Sequence, residues 1–524
     1  NTELIKPIND IPFFLNAYGS TDSRFELNTH FNTQLSQKWS SSLFVHGNTR
    51  VSKMDQNNDG FMDNPLAKQI NVMNRYQYYD AEKGLVSFIN FRYMNDKKQS
   101  GEVDFDPDRD RGATNRWGSE INTQRLDLAT KVGYVFKDMP FQSIGFQNAF
   151  TLHNQNSYYG LNVYDIKQNS FYSNLIFNSI INNTKHKFAT GINFAYDNYN
   201  EFVGLTDYGR VDNSVGTFFE YTYDNDDNFS LVLGGRVDNH NRLGTFVTPR
   251  LHLRYNPWEK SVLRFSAGRG KRAANIFAEN QSLFASSRTF SILDTDGKIY
   301  GLNPEIAWNY GLSFNQKFQL FGRNGDAGFD LYRTDFQNQA VVDVMQSPQQ
   351  VLFYNLKGKS YATSLQIEFN YELANRFSLR SAYKYYDIQT QYLSGVYQRP
   401  LQAKHRFFGN LEYETGRSES GSQWRFDATY NWLGKQQLPV TASNPAQDRL
   451  PDFSPSYNLI NAQVTHVFSS NFEIYVGGEN IGNYKQSKAI LGAETPFGPT
   501  FDASIVYAPI FGQMYYAGLR FKIK

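Results

Sequence analysis

Oxygen-bearing side chains fall at alternate positions in the stretch DQNNDGFMDNPL (55–66): Asp55, Asn57, Asp59 and then Asp63, with Gly60 in sixth place. Hard cations such as calcium take carboxylate, amide and carbonyl oxygens from such a run, and a glycine at position six permits the sharp turn. Asp55, Asn57, Asp59, the Phe61 carbonyl and Asp63 are therefore a candidate calcium set. Position twelve is Leu66, so the bidentate glutamate of a helix-flanked calcium loop is missing and the expected affinity is modest. The competing reading is a solvated, turn-rich Asn/Asp/Gly loop. A second run, EVDFDPDRDRG (102–112), spaces Asp104, Asp106, Asp108 and Asp110 in the same way. It is read first as a solvated acidic loop and second as another calcium site. The eight histidines are scattered and no pair has helical metal spacing. There is no cysteine nucleophile and no G-x-S-x-G elbow on a strand-to-helix turn, so no enzymatic constellation emerges.

The elements that carry these residues follow a period of two. Phe25, Leu27, Phe31 and Leu35 alternate with Glu26, Asn28, Asn32 and Gln34. Leu126, Leu128, Val132 and Phe136 alternate with Asp127 and Lys131, and Leu365, Ile367, Phe369 and Tyr371 alternate with Gln366, Glu368 and Asn370. Strand side chains point to opposite faces at each step, so each segment has one apolar and one wet face. The chain has 524 residues, of which only 40% are hydrophobic but 16% are aromatic, spread thinly from end to end. That distribution does not supply the several aliphatic cores that a soluble protein of this size needs. With the apolar face turned to lipid and the polar face inward it fits a membrane barrel with aromatic girdles. A net charge of +2 argues against a nucleic-acid partner, and the absence of cysteine excludes a disulfide framework.

Short polar turns are expected at SQK (36–38), AEK (81–83), NTKH (183–186), NDDN (225–228), WEKS (258–261), RNGD (323–326) and at ANR, ending at Arg376. Longer connections lie between them. Outer-membrane barrels have short periplasmic turns and long extracellular loops, with strands of about 10 residues. Threading the chain on this rule predicts an all-β, transmembrane antiparallel β-barrel of about 22 strands, closed by YYAGLRFKIK at the C-terminus. The calcium-type stretch then belongs to an extracellular loop. Arg250, His252 and Arg254 share one parity, continued by Arg264 on the next strand, and Arg380 and Lys384 form another row. All six are expected to face the lumen. They would meet an anionic ligand or, by the preferred reading, hold whatever fills the barrel in an ion-pair network. The final long loop, 484–512, is either a binding lip or a segment that packs over its neighbours.

Several segments resemble TonB-dependent outer-membrane receptors of the kind found in Bacteroidetes. They are TPRLHLRYNPWEKSVLRFSAGRGKRAANIFAEN (248–280), GLNPEIAWNYGLSF (301–314), FDLYRTDFQNQ (329–339), YVGGENIGNY (475–484) and FGPTFDASIVYAPIFGQMYYAGLRF (497–521). The resemblance covers essentially the whole chain. It implies a multi-pass protein in the outer membrane lipid of a Gram-negative bacterium, with energy-coupled uptake of a scarce ligand. A ferric siderophore or other metal chelate is the expected cargo, with heme, cobalamin, glycans and peptides as further classes. The family also carries a plug domain and a short box that engages TonB, neither of which is expected here. Residues 1–11 then form a linker from a missing plug and 12–524 the barrel, with TonB acting through the plug. A separate reading is a structural subunit of an outer-membrane complex whose loops hold surface lipoproteins. A passive porin is the weaker third.

Overall fold

Lipid around the chain and water within it leave one arrangement for these strands, a closed ring with no free edge. The computed structural model describes residues 11–523, and the linker reading over residues 1–10 lies outside them. The main sheet is antiparallel throughout and contains the 22 strands of a closed barrel. In chain order they are β1 (Phe13–Ser20), β2 (Arg24–Gln34), β3 (Trp39–Arg50), β4 (Leu66–Asp80), β5 (Leu85–Gly101), β6 (Gly118–Val135), β7 (Ser143–Tyr159) and β8 (Asn162–Ile181). Next come β9 (Asn183–Val203), β10 (Arg210–Asp224), β11 (Phe229–His240), β12 (Gly244–Tyr255), β13 (Ser261–Arg272), β14 (Glu305–Leu320) and β15 (Arg323–Asn338). The ring is completed by β16 (Ser360–Ala374), β17 (Phe377–Tyr392), β18 (His405–Glu414), β19 (Gln423–Leu433), β20 (Tyr457–Val467), β21 (Phe472–Glu479) and β22 (Met514–Ile523). β1 closes on β22, with Phe13 opposite Ile523 and Ser20 opposite Tyr516.

Connections after even-numbered strands are short, whereas those after odd-numbered strands include 51–65, 102–117, 273–304, 339–359, 434–456 and 480–513. By the polarity of outer-membrane barrels the second set is extracellular. The apolar parity faces outward: Phe25 is 56% exposed, and Leu27 and Phe31 are exposed beside it. The wet parity is cross-linked inside, where Asn28 Oδ1 accepts from His46 Nδ1 (2.6 Å) and Asn48 donates to Gln69 (3.0 Å).

Three sequence expectations shift. NTKH and RNGD lie inside β9 and β15, because the turns are tighter than a polar run suggests. Asn182 alone links β8 to β9 at φ +66°, and Phe321–Gly322 link β14 to β15 at +50° and +74°. These left-handed conformations suit two-residue and shorter hairpins. Strands are also longer than expected: β9 has 21 residues. At about 3.3 Å per residue that is ~69 Å, well beyond the ~30 Å hydrocarbon layer even when tilted. Pairing therefore continues above the membrane, and β5–β9 form a wall around the extracellular mouth.

Candidate functional site: the extracellular mouth and the lumen wall

The long loops fold into the mouth and share one aromatic core. Phe501, from loop 480–513, packs at a tilt 5.0 Å from Trp117 of loop 102–117 and stacks 5.9 Å from Phe61 of loop 51–65. Phe284, from loop 273–304, lies 5.3 Å from Tyr164 on β8 and 4.6 Å from Phe290. Phe290 reaches Phe353 of loop 339–359 at 6.2 Å, and Phe277 packs on Phe353 at 5.6 Å. Loops 102–117 and 339–359 rise from nearly opposite sides of the ring, so this chain of rings crosses the opening. A small sheet adds backbone order: Gln350–Asn355 pairs with Thr289–Ile292 on one side and Ala340–Asp343 on the other.

Two buried polar clusters lock the core. Arg288 donates from Nε to Asp502 Oδ2 at 2.9 Å and from Nη1 to the Ser347 carbonyl at 3.0 Å. One guanidinium thus ties loops 273–304, 339–359 and 480–513. Arg210 on β10 donates to Asp212 (3.0 Å), Glu201 (3.3 Å) and the Tyr300 hydroxyl (2.7 Å), while Tyr164 donates to Glu201 (2.9 Å). The final loop therefore packs over its neighbours instead of standing up as a lip. Leu491, Phe501 and Ile505 are buried, and the Gln486 side chain accepts from Tyr507 N at 2.8 Å and donates to the Ile505 carbonyl at 2.8 Å. Sequence reading missed Arg288, Asp502, Arg210 and Glu201: Arg288 and Asp502 lie 214 positions apart, and Arg210 and Glu201 sit on neighbouring strands with no motif to join them.

The two acidic loops meet at one side of the mouth. Val103 N donates to the Gly60 carbonyl at 2.9 Å and Met62 N to that of Gly101 at 2.8 Å. Within loop 51–65 the carboxylates accept backbone amides: Asp55 from Gly60 (2.9 Å), Asp59 from Phe61 (2.9 Å) and Asp63 from Gln56 (2.7 Å). Burial, with Asp55 and Asp59 close by, pushes Asp63 up to about 6. The described residues contain no group of three or more His, Asp or Glu side chains placed to hold a metal ion. The second acidic run is a capped turn. Asp106 accepts from Asp108 N at 3.0 Å, at the start of the short helix Pro107–Asp110. Asp110 accepts two hydrogen bonds from Arg109 at 2.8 Å and one from Asp106 N at 2.9 Å. These bonds hold the Asp110 carboxyl down at about 2. Asp106 and Asp110 thus serve the turn itself, as the reading of an acidic loop expects.

On the lumen wall the predicted cations form two separate patches. Arg250 lies over Gly234, where a Cβ would come 2.8 Å from its Nε, and reaches across to an ion pair with Glu220 on β10. His252 follows on the same parity, opposite Val232 and Ser266. Arg254 and Arg264 sit directly opposite one another on β12 and β13. Neither has a carboxylate within ion-pair distance among the described residues. Several strands away, Arg380 pairs with Glu412 at 3.3 Å, and Lys384 sits 5.3 Å above the Tyr386 ring and opposite Gln366 and Arg406.

The family model described as TonB dependent receptor-like, beta-barrel, matches residues 6–481. No curated protein matches the sequence significantly. Among solved structures, the chain is similar to a mutant ferric enterobactin receptor, PfeA, from Pseudomonas aeruginosa, with 12% identity and a TM-score of 0.72 over 97% of this chain and 80% of that one. It is similar to the FpvAI–pyocin S2 complex at 12% identity and a TM-score of 0.72, over 99% and 70% of the two chains. The siderophore receptor PirA from Pseudomonas aeruginosa gives 11% identity and a TM-score of 0.64, over 98% and 80%. At these identities the likeness is one of fold.

Proposed function

This chain belongs to the TonB-dependent receptor β-barrel family, and we propose that it forms the wall and extracellular mouth of an uptake receptor for a ferric siderophore or comparable metal chelate. The family is one of receptors in the outer membrane of Gram-negative bacteria, coupled to TonB, and not of enzymes. The observation that carries the reading is the family match along a closed barrel with a cationic lumen wall. The cargo is supported by the ferric enterobactin and siderophore receptors that share the fold. An anionic chelate would be drawn along Arg254 and Arg264, with Arg250 and His252 beside them and Arg380 and Lys384 several strands farther around the same wall. A plug domain is proposed as the lumen's occupant and the element that TonB pulls. The test is uptake of iron from a panel of ferric chelates by cells with and without the gene. An unchanged rate for every chelate would sink the cargo reading.

The aromatic core across the mouth favours a second reading, a structural subunit whose closed face holds a surface lipoprotein. Stoichiometric co-purification with such a partner, without a ligand-dependent phenotype, would select it. At loop 51–65 we further propose one calcium ion held by Asp55, Asn57, Asp59, the Phe61 carbonyl and Asp63, stapling this edge of the mouth. The alternation of oxygen residues around Gly60 and three carboxylates in one short loop support it. Each carboxylate that accepts a backbone amide keeps further lone pairs, so metal bonds would form beside these hydrogen bonds.

A further inference from the structure

The lipid-facing wall is not uniformly covered. Between β10 and β14 it carries a hollow of about 570 Å³, with Gly235, Pro249 and Ala267 at its floor and Phe219, Leu251 and Trp308 at its rim. Small residues make the depression. A Cβ at Gly235 would meet nothing within 4 Å. Proline has no N–H to give the ladder, and β12 pairs with β13 only from Arg250 to Tyr255. All six side-chain positions lie on the apolar, outward parity, since Gly235 is opposite Pro249, and Ala267 is opposite Leu251 and Tyr310.

Directly above the hollow the same face turns cationic. On β13 the outward row runs Phe265, Ala267, Arg269, Lys271, toward the extracellular end. Arg269 is opposite Trp308, whose ring stacks on Tyr310 at 6.2 Å. Trp and Tyr on an outward face mark the level of lipid headgroups. Arg269 donates to a neutral partner, Gln337, at 3.2 Å. Lys271 donates to the Leu243 carbonyl at 2.9 Å and sits 4.6 Å above the Phe246 ring. Neither has a carboxylate within ion-pair distance among the described residues. Two uncompensated cations at the edge of hydrocarbon are unfavourable unless an anion meets them.

We propose that this wall seats a phosphate-bearing lipid of the outer leaflet, with one acyl chain in the Gly235–Ala267 hollow and its phosphate on Arg269 and Lys271. The geometry combines an apolar slot with a charge pair about two residues, or ~7 Å, above it. A free phosphate would use the cations and leave the slot empty. A zwitterionic lipid would use the slot without preference for the cations.

Native mass spectrometry of the purified protein, equilibrated with equimolar dioleoyl phosphatidic acid and dioleoyl phosphatidylcholine, separates these cases. The expected result is several-fold excess retention of phosphatidic acid. Arg269→Gln with Lys271→Gln should bring the excess close to unity. Gly235→Phe, which fills the hollow and leaves the charges, should lower retention of both lipids. Unheated gel mobility confirms that each variant is a folded barrel. Equal retention by the unaltered protein, or an excess that survives the double change, overturns the proposal. So does displacement by inorganic phosphate with no effect of Gly235→Phe, which would leave only an ion site.

Discussion

Arg288 and Asp502 stand 214 positions apart in the chain and meet as a buried ion pair, Nε to Oδ2 2.9 Å, with side chains 1% and 5% exposed. Removing one partner leaves the other charge buried and alone, which costs about 3–5 kcal/mol. Asp502→Ala should therefore loosen the loop core while the membrane strands persist. The expected reading is faster hydrogen exchange in 284–292 and 491–505, with unheated gel mobility unchanged. Replacing both residues by Met and Leu should restore much of the protection, because an apolar pair needs no desolvation of charge. Exchange in these segments that Asp502→Ala leaves unaltered would contradict the role given to the pair.

Asp110 offers a pH-dependent test in an extracellular loop. Its folded carboxyl is held at about 2, first by Arg109 and then by the Asp106 amide. An unfolded aspartate titrates near 3.9. The folded state thus binds the proton less well, and the resulting stability is present above that ordinary value and is lost as pH falls through about 2. Pepsin should spare the loop 102–117 at pH 4 and cut it at Phe105 as the pH approaches 2. Asp110→Asn should be cut at both. Equal cutting of the unaltered loop at the two values would refute the linkage.

Much of the barrel was legible in the sequence because a membrane forces a simple rule on it. Phe25/Glu26, Leu365/Gln366 and Leu251/His252 each announce a face, and the short turns announce the periplasmic side. The pattern gives no length where lipid stops, so the extension of β9 to Val203 went unseen. Turn position failed where geometry, not polarity, decides it: Asn182 and Phe321 take positive φ in loops too short for a polar run. The mouth was the least legible part. Phe61, Trp117, Phe284 and Phe501 look like scattered loop aromatics until long-range folding gathers them. The loops' apolar residues serve a core of their own, with no periodicity to reveal it.

The calcium proposed for loop 51–65 is tested by heat and by protection. With five oxygen ligands and no bidentate glutamate, an affinity in the range of extracellular modules is expected, about 10⁻⁴ to 10⁻³ M. Titration should give saturable heat and slow the exchange of Gly60 and Phe61 amides, and Asp55→Asn with Asp59→Asn should abolish both. Magnesium, which demands stricter geometry, should have little effect. No heat and no protection at calcium concentrations well above this range would show that the Asx-type hydrogen bonds of Asp55, Asp59 and Asp63 alone complete the loop.

Arg254 and Arg264 face one another across β12 and β13, with no acid within ion-pair distance among the described residues. Like charges directly opposite in a sheet are destabilising. Water in the lumen reduces this repulsion, and no carboxylate among the described residues lies within ion-pair distance to offset it. Arg264→Gln should therefore leave the barrel's thermal stability unchanged or slightly raised. If the pair serves an anionic cargo or an acidic face of a plug, the same substitution should weaken that interaction. Ferric chelate uptake by cells carrying Arg264→Gln should then fall while the barrel remains at wild-type abundance. Arg380→Gln is the contrasting variant, because it strips Glu412 of its partner, 3.3 Å away. Its cost should appear in stability at least as much as in uptake. Uptake that is indifferent to Arg264→Gln, with the unaltered protein active for the same chelate, would remove the arginine pair from the transport path.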